Sequence, residues 1–353
     1  MIHKSLEHII LVMPGFAVDE QDTSCVPPVQ KLALELSKNL GVDALTIVAM
    51  HYPYKSCSYK WNGINVIGIG ANNVGFPRRL YFWRQFKKAL STILLEKKKV
   101  RVHSFWLSEI AYLAEKWANK NEVVHSVTLM GQEVKKGNRY ISRASISEEK
   151  IISLSKFQSR IIEKNYQIKP VFNLCFGIDD EVIYNEEKSY DIIGVGSLVE
   201  IKNYDKFLKV IVEVKKILPQ IKVGIVGGGN LSKIICDKAK ALEVSEQIEF
   251  IGLLNREQSI AKIAQSKLLL HTSDFESLGY VFLEAIKQKV RIVSTPFGIA
   301  AENPDILKGM TVAELTKQVV VSLNQTSEIQ YTKPATVEEV MNKYVQFWGN
   351  NIK

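Results

Sequence analysis

The sequence predicts an α/β protein built from two Rossmann-like halves, and three observations carry that prediction. The chain has 353 residues, too many for one ordinary α/β unit and suited to two domains of about 150–200 residues each. Short apolar runs bounded by turn residues alternate with longer stretches of helical period, the pattern of βαβ units. The runs are apolar on both faces, as strands of a parallel sheet covered by helices on two sides must be. A hydrophobic share of 46% and a charged share of 24% belong to a soluble globular protein and exclude a disordered, fibrous or disulfide-scaffold chain.

In chain order, the first half predicts strands at Glu7–Met13, Ala44–Met50, Ile64–Ile69, Val100–Phe105, Val123–Leu129, Ile151–Leu154 and Pro170–Leu174. A helix over Val26–Leu40 follows Ser24 and carries Pro27 and Pro28 in its first turn, where a missing amide hydrogen costs nothing; it stops at Asn39–Gly41. The second half repeats the alternation, with strands at Ile192–Val195, Lys222–Val226, Gln247–Ile251, Leu268–Thr272 and Val290–Ser294. Helices over Tyr204–Ile217, Leu231–Leu242, Arg256–Ala264 and Leu278–Gln288 lie between them. Residues 179–190 are rich in acids and poor in large apolar side chains, which marks a linker and sets the boundary near residue 185. The expected domains are 1–185 and 186–335, followed at 336–353 by a helix, Val337–Phe347, that could dock on either.

The cysteines Cys25, Cys57, Cys175 and Cys236 lack the close spacing of a zinc site or redox motif and read as reduced thiols of a cytoplasmic protein. The apolar run Ile9–Val12, stopped by Pro14, is too short for a signal peptide or for a membrane span of about 20 residues. The net charge of +9 is unevenly placed. Up to Cys175 there are 25 basic against 14 acidic side chains, and after it 21 against 23. Residues 51–100 hold ten basic side chains against the single acid Glu96. Within them Phe76, Arg78, Arg79, Tyr81, Trp83, Arg84, Lys87 and Lys88 interleave aromatic and basic groups, which suits peripheral contact with an anionic membrane, on the inner face of the plasma membrane, through residues 76–99. The same helix also reads as a solvated surface element with Leu80, Trp83, Lys87 and Leu90 turned to the core. No RNA or DNA module accompanies the patch, so nucleic acid is not expected as a partner.

The strongest chemical signal is the run from Ser273 to Ala285, which follows a buried strand and opens a helix. It places Glu276 in the loop and Glu284 two turns into the helix. In open α/β sheets ligands bind beyond the carboxyl ends of the strands, where a helix N-terminus offers backbone N–H groups to an anion. Leu278, Gly279 and Tyr280 would be those donors, and Glu284, deeper along the helix, could reach a ribose. The adjacent Gly227, Gly228 and Gly229 do not complete a Gly-x-Gly-x-x-Gly fingerprint, which excludes a nicotinamide dehydrogenase.

This run resembles the retaining glycosyltransferases of family 4, in which a Glu, seven residues and a second Glu enclose a Gly and a Leu-Glu-Ala. Further matches keep the family's order: Val195–Leu198 followed by Lys202 and Asn203, then Val226–Gly229, then Phe250, Ile251 and Gly252. In the first half Met13–Gly15 looks like the family's glycine-bearing loop, and Phe176–Asp179 like the segment that closes its N-terminal domain. The resemblance implies a GT-B fold, two Rossmann-like domains facing across a cleft. It implies transfer of a sugar with retention from a nucleotide diphosphate sugar (UDP-, GDP- or ADP-linked) to a glycan or lipid-linked acceptor bound by the first domain, with no further cofactor. Glu276 would lie near the transferred sugar, Glu284 on the ribose, and Gly15, Gly196, Ser197, Gly228, Ile251 and Gly252 along the donor. Lys202 would neutralise the departing diphosphate, against the plainer reading of a solvated lysine. No Asp-x-Asp metal motif is present, so neutralisation falls to Lys202 and helix N-termini. Ser197 stands where the family often has Arg, and Met130 where it has a histidine close to the reacting sugar. His103, at a strand end, is then the nearest candidate for that histidine, while His125 and His271 read as core or rim residues and Glu133 matches an acid of the same loop. An inactive nucleotide-sugar-binding subunit and a GT-B sugar-nucleotide epimerase are the alternatives.

Overall fold

A computed structural model of the chain describes residues 8–178, 183–184, 186–325, 327 and 329–350. Glu7, Asp179 and the expected boundary at Asn185 lie outside the described residues. The chain divides into two compact units: one gathers everything up to Gly177 with the stretch from Ala335 onward, and the other spans Ile178–Pro334.

The first unit runs β1 (His8–Gly15), α1 (Pro27–Leu40), β2 (Leu45–Tyr52), β3 (Cys57–Trp61), β4 (Ile64–Gly68), α2 (Arg78–Lys97), β5 (Val100–Phe105), α3 (Glu109–Lys120), β6 (Val124–Thr128), α4 (Arg139–Ala144), β7 (Ile151–Ser153), α5 (Lys156–Tyr166) and β8 (Phe172–Asn173). Its sheet has the order β3-β4-β2-β1-β5-β6-β7-β8. All neighbours are parallel except β3, which pairs antiparallel with β4 across a tight Asn62–Gly63 turn. Both turn residues have positive φ, 47° and 81°, the type I′ geometry that Asn-Gly favours between twisted strands. Of this hairpin only β4 was among the expected strands, as Ile64–Ile69; β3 was not. Its first strand alternates polar and half-buried residues at the sheet edge, so it lacks the apolar run that reveals the others.

The second unit runs β9 (Tyr190–Val195), α6 (Tyr204–Ile217), β10 (Val223–Val226), α7 (Ser232–Ala241), β11 (Ile248–Gly252), α8 (Arg256–Ala264), β12 (Ser266–His271), α9 (Tyr280–Lys287), β13 (Arg291–Ser294), β14 (Leu307–Lys308) and α10 (Val312–Leu323). The order β11-β10-β9-β12-β13-β14, all parallel, is that of a complete Rossmann sheet. One face is covered by α6, α7 and α10 through Phe207, Ile211, Ile235 and Leu315. The other is closed by α8 and α9 through Ile263, Phe282 and Ile286. The order reverses between β9 and β12, the switch point at whose carboxyl ends open α/β sheets form a ligand crevice.

The last helix, α11 (Val337–Asn350), belongs to the first unit. It buries Met341, Tyr344, Phe347 and Trp348. The Tyr344 hydroxyl lies 2.9 Å from Thr128 Oγ1, and Phe347 meets Phe172 edge-on with ring centroids 4.7 Å apart. The returning chain passes the outgoing one at Gly177, where any Cβ would stand 2.3 Å from the Thr336 carbonyl oxygen, so only glycine fits.

Candidate active site

The crevice between β9 and β12 is built by two loops that hold each other. The loop after β9 makes a short turn, Glu200–Lys202, and caps α6 through Asn203, whose side chain accepts the Lys206 N–H at 3.0 Å. The loop after β12 reaches back to it. Thr272 Oγ1 donates to the carbonyls of Lys202 and Asn203 at 3.2 and 3.0 Å, the Asp274 N–H donates to Ile201 O at 2.8 Å, and Asn203 Nδ2 donates to the Asp274 carboxylate at 3.0 Å. One backbone hydrogen bond and the short polar side chains of Thr272, Asn203 and Asp274 thus fix the two loops to each other.

On that frame Lys202 Nζ lies 2.5 Å from Glu276 Oε1. The same oxygen receives Ser273 Oγ at 2.9 Å and meets His271 Nε2 at 2.8 Å. Three groups therefore converge on Oε1, and among the described residues no hydrogen bond engages Oε2. Burial alone would raise the Glu276 carboxyl, but the hydrogen bond from His271 and the Lys202 charge overcome it and hold the group far below the usual carboxylate range. His271 itself is pushed below its ordinary value, chiefly by burial, with Glu276 opposing and Lys202 adding. At neutral pH the cluster therefore sets a carboxylate and a neutral imidazole beside Lys202.

The glycines make room around it. Gly196 has φ 149° and passes under Lys202, whose Cε would be 3.7 Å from a Cβ there. Gly227 packs so closely on Gly196 that a Cβ would stand 1.9 Å from the Gly196 carbonyl oxygen. Ser197 is exposed at the rim, Gly228 lies beneath Leu253, and Ile251 and Gly252 end β11. Helix α9 begins after Gly279 (φ 78°) with no side-chain cap, so its first turn presents the backbone amide end of a helix toward the crevice. Leu278 is buried just before that turn, and Tyr280 is its first residue. One turn on, Glu284 accepts Arg256 Nε at 2.9 Å, while Arg256 Nη2 lies 3.1 Å from the Tyr280 hydroxyl.

Of the expected site residues, Lys202, Glu276, Gly196, Ser197, Gly228, Ile251, Gly252, Leu278, Gly279, Tyr280 and Glu284 belong to the second unit, which sets Lys202 on Glu276 and Gly196 beneath Lys202, while Glu284 pairs with Arg256. Gly15 belongs to the first unit, at the carboxyl end of β1, where a Cβ would meet Tyr52 Cβ at 3.1 Å. His103 requires a correction. Its ring is wholly buried in the first unit, with Nδ1 2.8 Å from Ser126 Oγ, Nε2 2.9 Å from Thr128 Oγ1 and the Trp348 indole against it. A group sealed beneath α11 cannot touch a reacting sugar. Burial, with His125 and Arg101 adding, holds it well below its ordinary value, so it is a neutral core histidine. Glu133 is half-buried: its oxygens accept the Met130 and Gly131 amides and shape the loop after β6, and desolvation raises it above the ordinary value. Sequence reasoning missed Ser273 and Arg256 and left His271 as a core or rim residue. Among the described residues no three His, Cys, Asp or Glu side chains gather as metal ligands.

Residues 178–303 match the family model of glycosyl transferases group 1. No curated protein matches the chain. Among solved structures it is similar to the N-terminal domain of Candida albicans trehalose-6-phosphate phosphatase, at 11% identity and a TM-score of 0.74, with 98% of each chain covered. It is similar to Anabaena HepE in complex with UDP and glucose, at 13% identity and a TM-score of 0.65, covering 96% of this chain and 95% of that one. A third likeness is to an S. aureus TarM mutant in complex with fondaparinux, α-GlcNAc-glycerol and UDP, at 13% identity and a TM-score of 0.52, covering 91% of this chain. The chain spans 55% of that TarM chain, about half its length. The protein has the two-domain, Rossmann-like GT-B fold, and residues 178–303 of its second unit match glycosyl transferases group 1.

Proposed function

We propose that the protein transfers a sugar, with retention of anomeric configuration, from a nucleotide diphosphate sugar held by the second unit to a glycan or lipid-linked acceptor. The observation that carries this reading is the convergence of Lys202, His271 and Ser273 on one oxygen of Glu276 at the crevice between β9 and β12. A diphosphate set over the α9 N-terminus meets the positive end of a helix, and Lys202 adds a preorganised cation. Negative charge grows on the diphosphate as the glycosidic bond breaks, so both stabilise the transition state more than the ground state. Glu276 Oε2 is then placed for a sugar hydroxyl and Glu284 for the ribose. The UDP complexes of HepE and TarM support a uridine nucleotide as the first donor to try. A thermal-shift panel of UDP, GDP, ADP and their sugars tests donor binding, because a ligand at 100 times its dissociation constant adds about 2.7 kcal/mol of stability. Absence of any shift with all of them would sink the reading, and the anomeric configuration of the product, read by NMR, tests retention.

A binding subunit without catalysis is the second reading. It is favoured by Met130 at the expected histidine position and by the burial of His103. Slow release of labelled sugar from the donor in the absence of acceptor separates the two, since a mere binder releases none.

The reading extends to a peripheral contact with anionic membrane through residues 76–99. Helix α2 turns Phe86, Leu90 and Ile93 to the core and leaves Tyr81 and Leu95 at 58% and 82% exposure, with Phe76 just ahead of the helix at 79%, beside the exposed Arg78, Arg84 and Lys88. The expected core face is corrected in part: Leu80 is exposed, and Phe86 and Ile93 lie inside instead. No helix among the described residues is long and apolar enough to cross a membrane. Each basic side chain near an anionic surface contributes about 1 kcal/mol, so R84E/K88E is expected to lose co-sedimentation with phosphatidylserine vesicles at low salt. Equal binding by the variant would refute the contact.

A further inference from the structure

We infer that Arg256 is a positioning residue for the nucleotide: it fixes the Glu284 carboxylate so that the site selects a ribose diol over a deoxyribose. The inference rests on the donor reading above and deepens it. Arg256 is the first residue of α8, and the start of that helix is rigid. Asn255 Oδ1 accepts the Gln258 N–H at 2.9 Å, and Gln258 Oε1 accepts the Asn255 N–H at 3.1 Å, a reciprocal capping box. A cation at a helix N-terminus stands at the unfavourable end of the helix dipole, so helix stability does not explain an arginine there.

Its side chain leaves α8 and crosses to α9. Nε donates to Glu284 Oε1 at 2.9 Å, Nη2 lies 3.1 Å from the Tyr280 hydroxyl, and the guanidinium sits 5.1 Å from the Tyr280 ring centroid. The pair is largely shielded from water, with side-chain exposures of 16% for Arg256 and 11% for Glu284. A planar guanidinium with several fixed donors restricts both the position and the plane of the carboxylate it holds. Glu284 then cannot turn to follow a ligand, so the ligand must match it. Two vicinal hydroxyls can donate to such a carboxylate together, whereas a 2′-deoxyribose offers one donor and leaves part of a shielded charge unmatched.

Calorimetric titration with UDP, GDP and ADP and with their 2′-deoxy counterparts tests this. The wild type is expected to prefer the ribonucleotide by about ten- to a hundredfold, the usual cost of one lost hydrogen bond to a charged group. In R256Q the ribonucleotide should weaken while the deoxynucleotide barely changes, which brings the ratio toward unity. R256K, which keeps the charge but not the planar fork, should fall between and serves if R256Q does not fold. Equal weakening of both nucleotides, or a ratio unchanged in either variant, would overturn the role of Arg256 and leave the donor reading standing. A wild type that binds none of the six nucleotides would overturn both.

Discussion

At the scale of single residues, Lys202 and Glu276 were legible because each lies in a short local pattern that a family resemblance could register. Their meeting at 2.5 Å adds the geometry. His271 and Arg256 were harder to see for a physical reason. His271 ends an apolar strand and looks like core until the loop folds back and sets Glu276 on its Nε2, and the partner of Arg256 stands 28 positions away on another helix. His103 failed in the opposite sense, since its burial depends on Trp348, 245 positions away. The chemistry proposed for Lys202 makes a specific prediction. K202A removes a cation whose interaction with the diphosphate grows in the transition state, so kcat should fall about 10²–10³-fold, as for the loss of one preorganised electrostatic contact. Donor affinity should fall far less, because the contacts proposed for the α9 N-terminus and Glu284 are left in place. A K202A enzyme with unchanged kcat and only a raised donor KM would show uniform binding and remove Lys202 from the chemistry.

Among whole elements, strands buried on both faces were readable because their apolar runs are continuous, and helices because their caps and periods agree. The edge strand β3 and the two-residue β14 have no such run, although Asn62–Gly63 was a usable hairpin signal. The amphipathic face of α11 is equally plain in sequence, but an apolar stripe does not say which core it will cover. The structure assigns it to the first unit, where it closes over β5 and β6 through Tyr344 and Trp348. That packing has a measurable weight. Trp348 is fully buried, and its truncation removes an aromatic side chain and leaves a cavity at the site it shares with His103. W348A should therefore cost about 3–5 kcal/mol of stability, read as an earlier urea transition of the first unit. A loss below about 1 kcal/mol, within the range of ordinary surface substitutions, would mean that α11 merely rests on the surface.

For the molecule as a whole, the alternation of strands and helices disclosed two Rossmann-like halves, yet not how the chain is shared between them. The first unit already closes at Gly177, ahead of the expected boundary near residue 185. The chain then returns at Ala335, a discontinuity that only docking can create. One property belongs to both units together. All five described histidines, His8, His51, His103, His125 and His271, are held below their ordinary value, burial being the first cause in each, and His8 is lowered to about 4. Below pH 6.5 the unfolded chain takes up protons that the folded chain refuses, so stability that is complete above that pH declines as acid is added, by at most about 1.4 kcal/mol per pH unit for each histidine. Glu133, raised by burial, works the other way, but it is one group against five. Glu115 and Glu276, both lowered on balance, keep their contributions through this window and lose them only below the ordinary carboxylate range. The urea midpoint should thus fall between pH 7.5 and pH 5, with a loss on the order of 2–4 kcal/mol. H8N should flatten that slope by part of one proton, since it deletes a group whose two states differ most between about pH 4 and 6.5. A midpoint that stays level across the window would mean that the buried histidines take up protons in the folded protein as readily as in the unfolded chain.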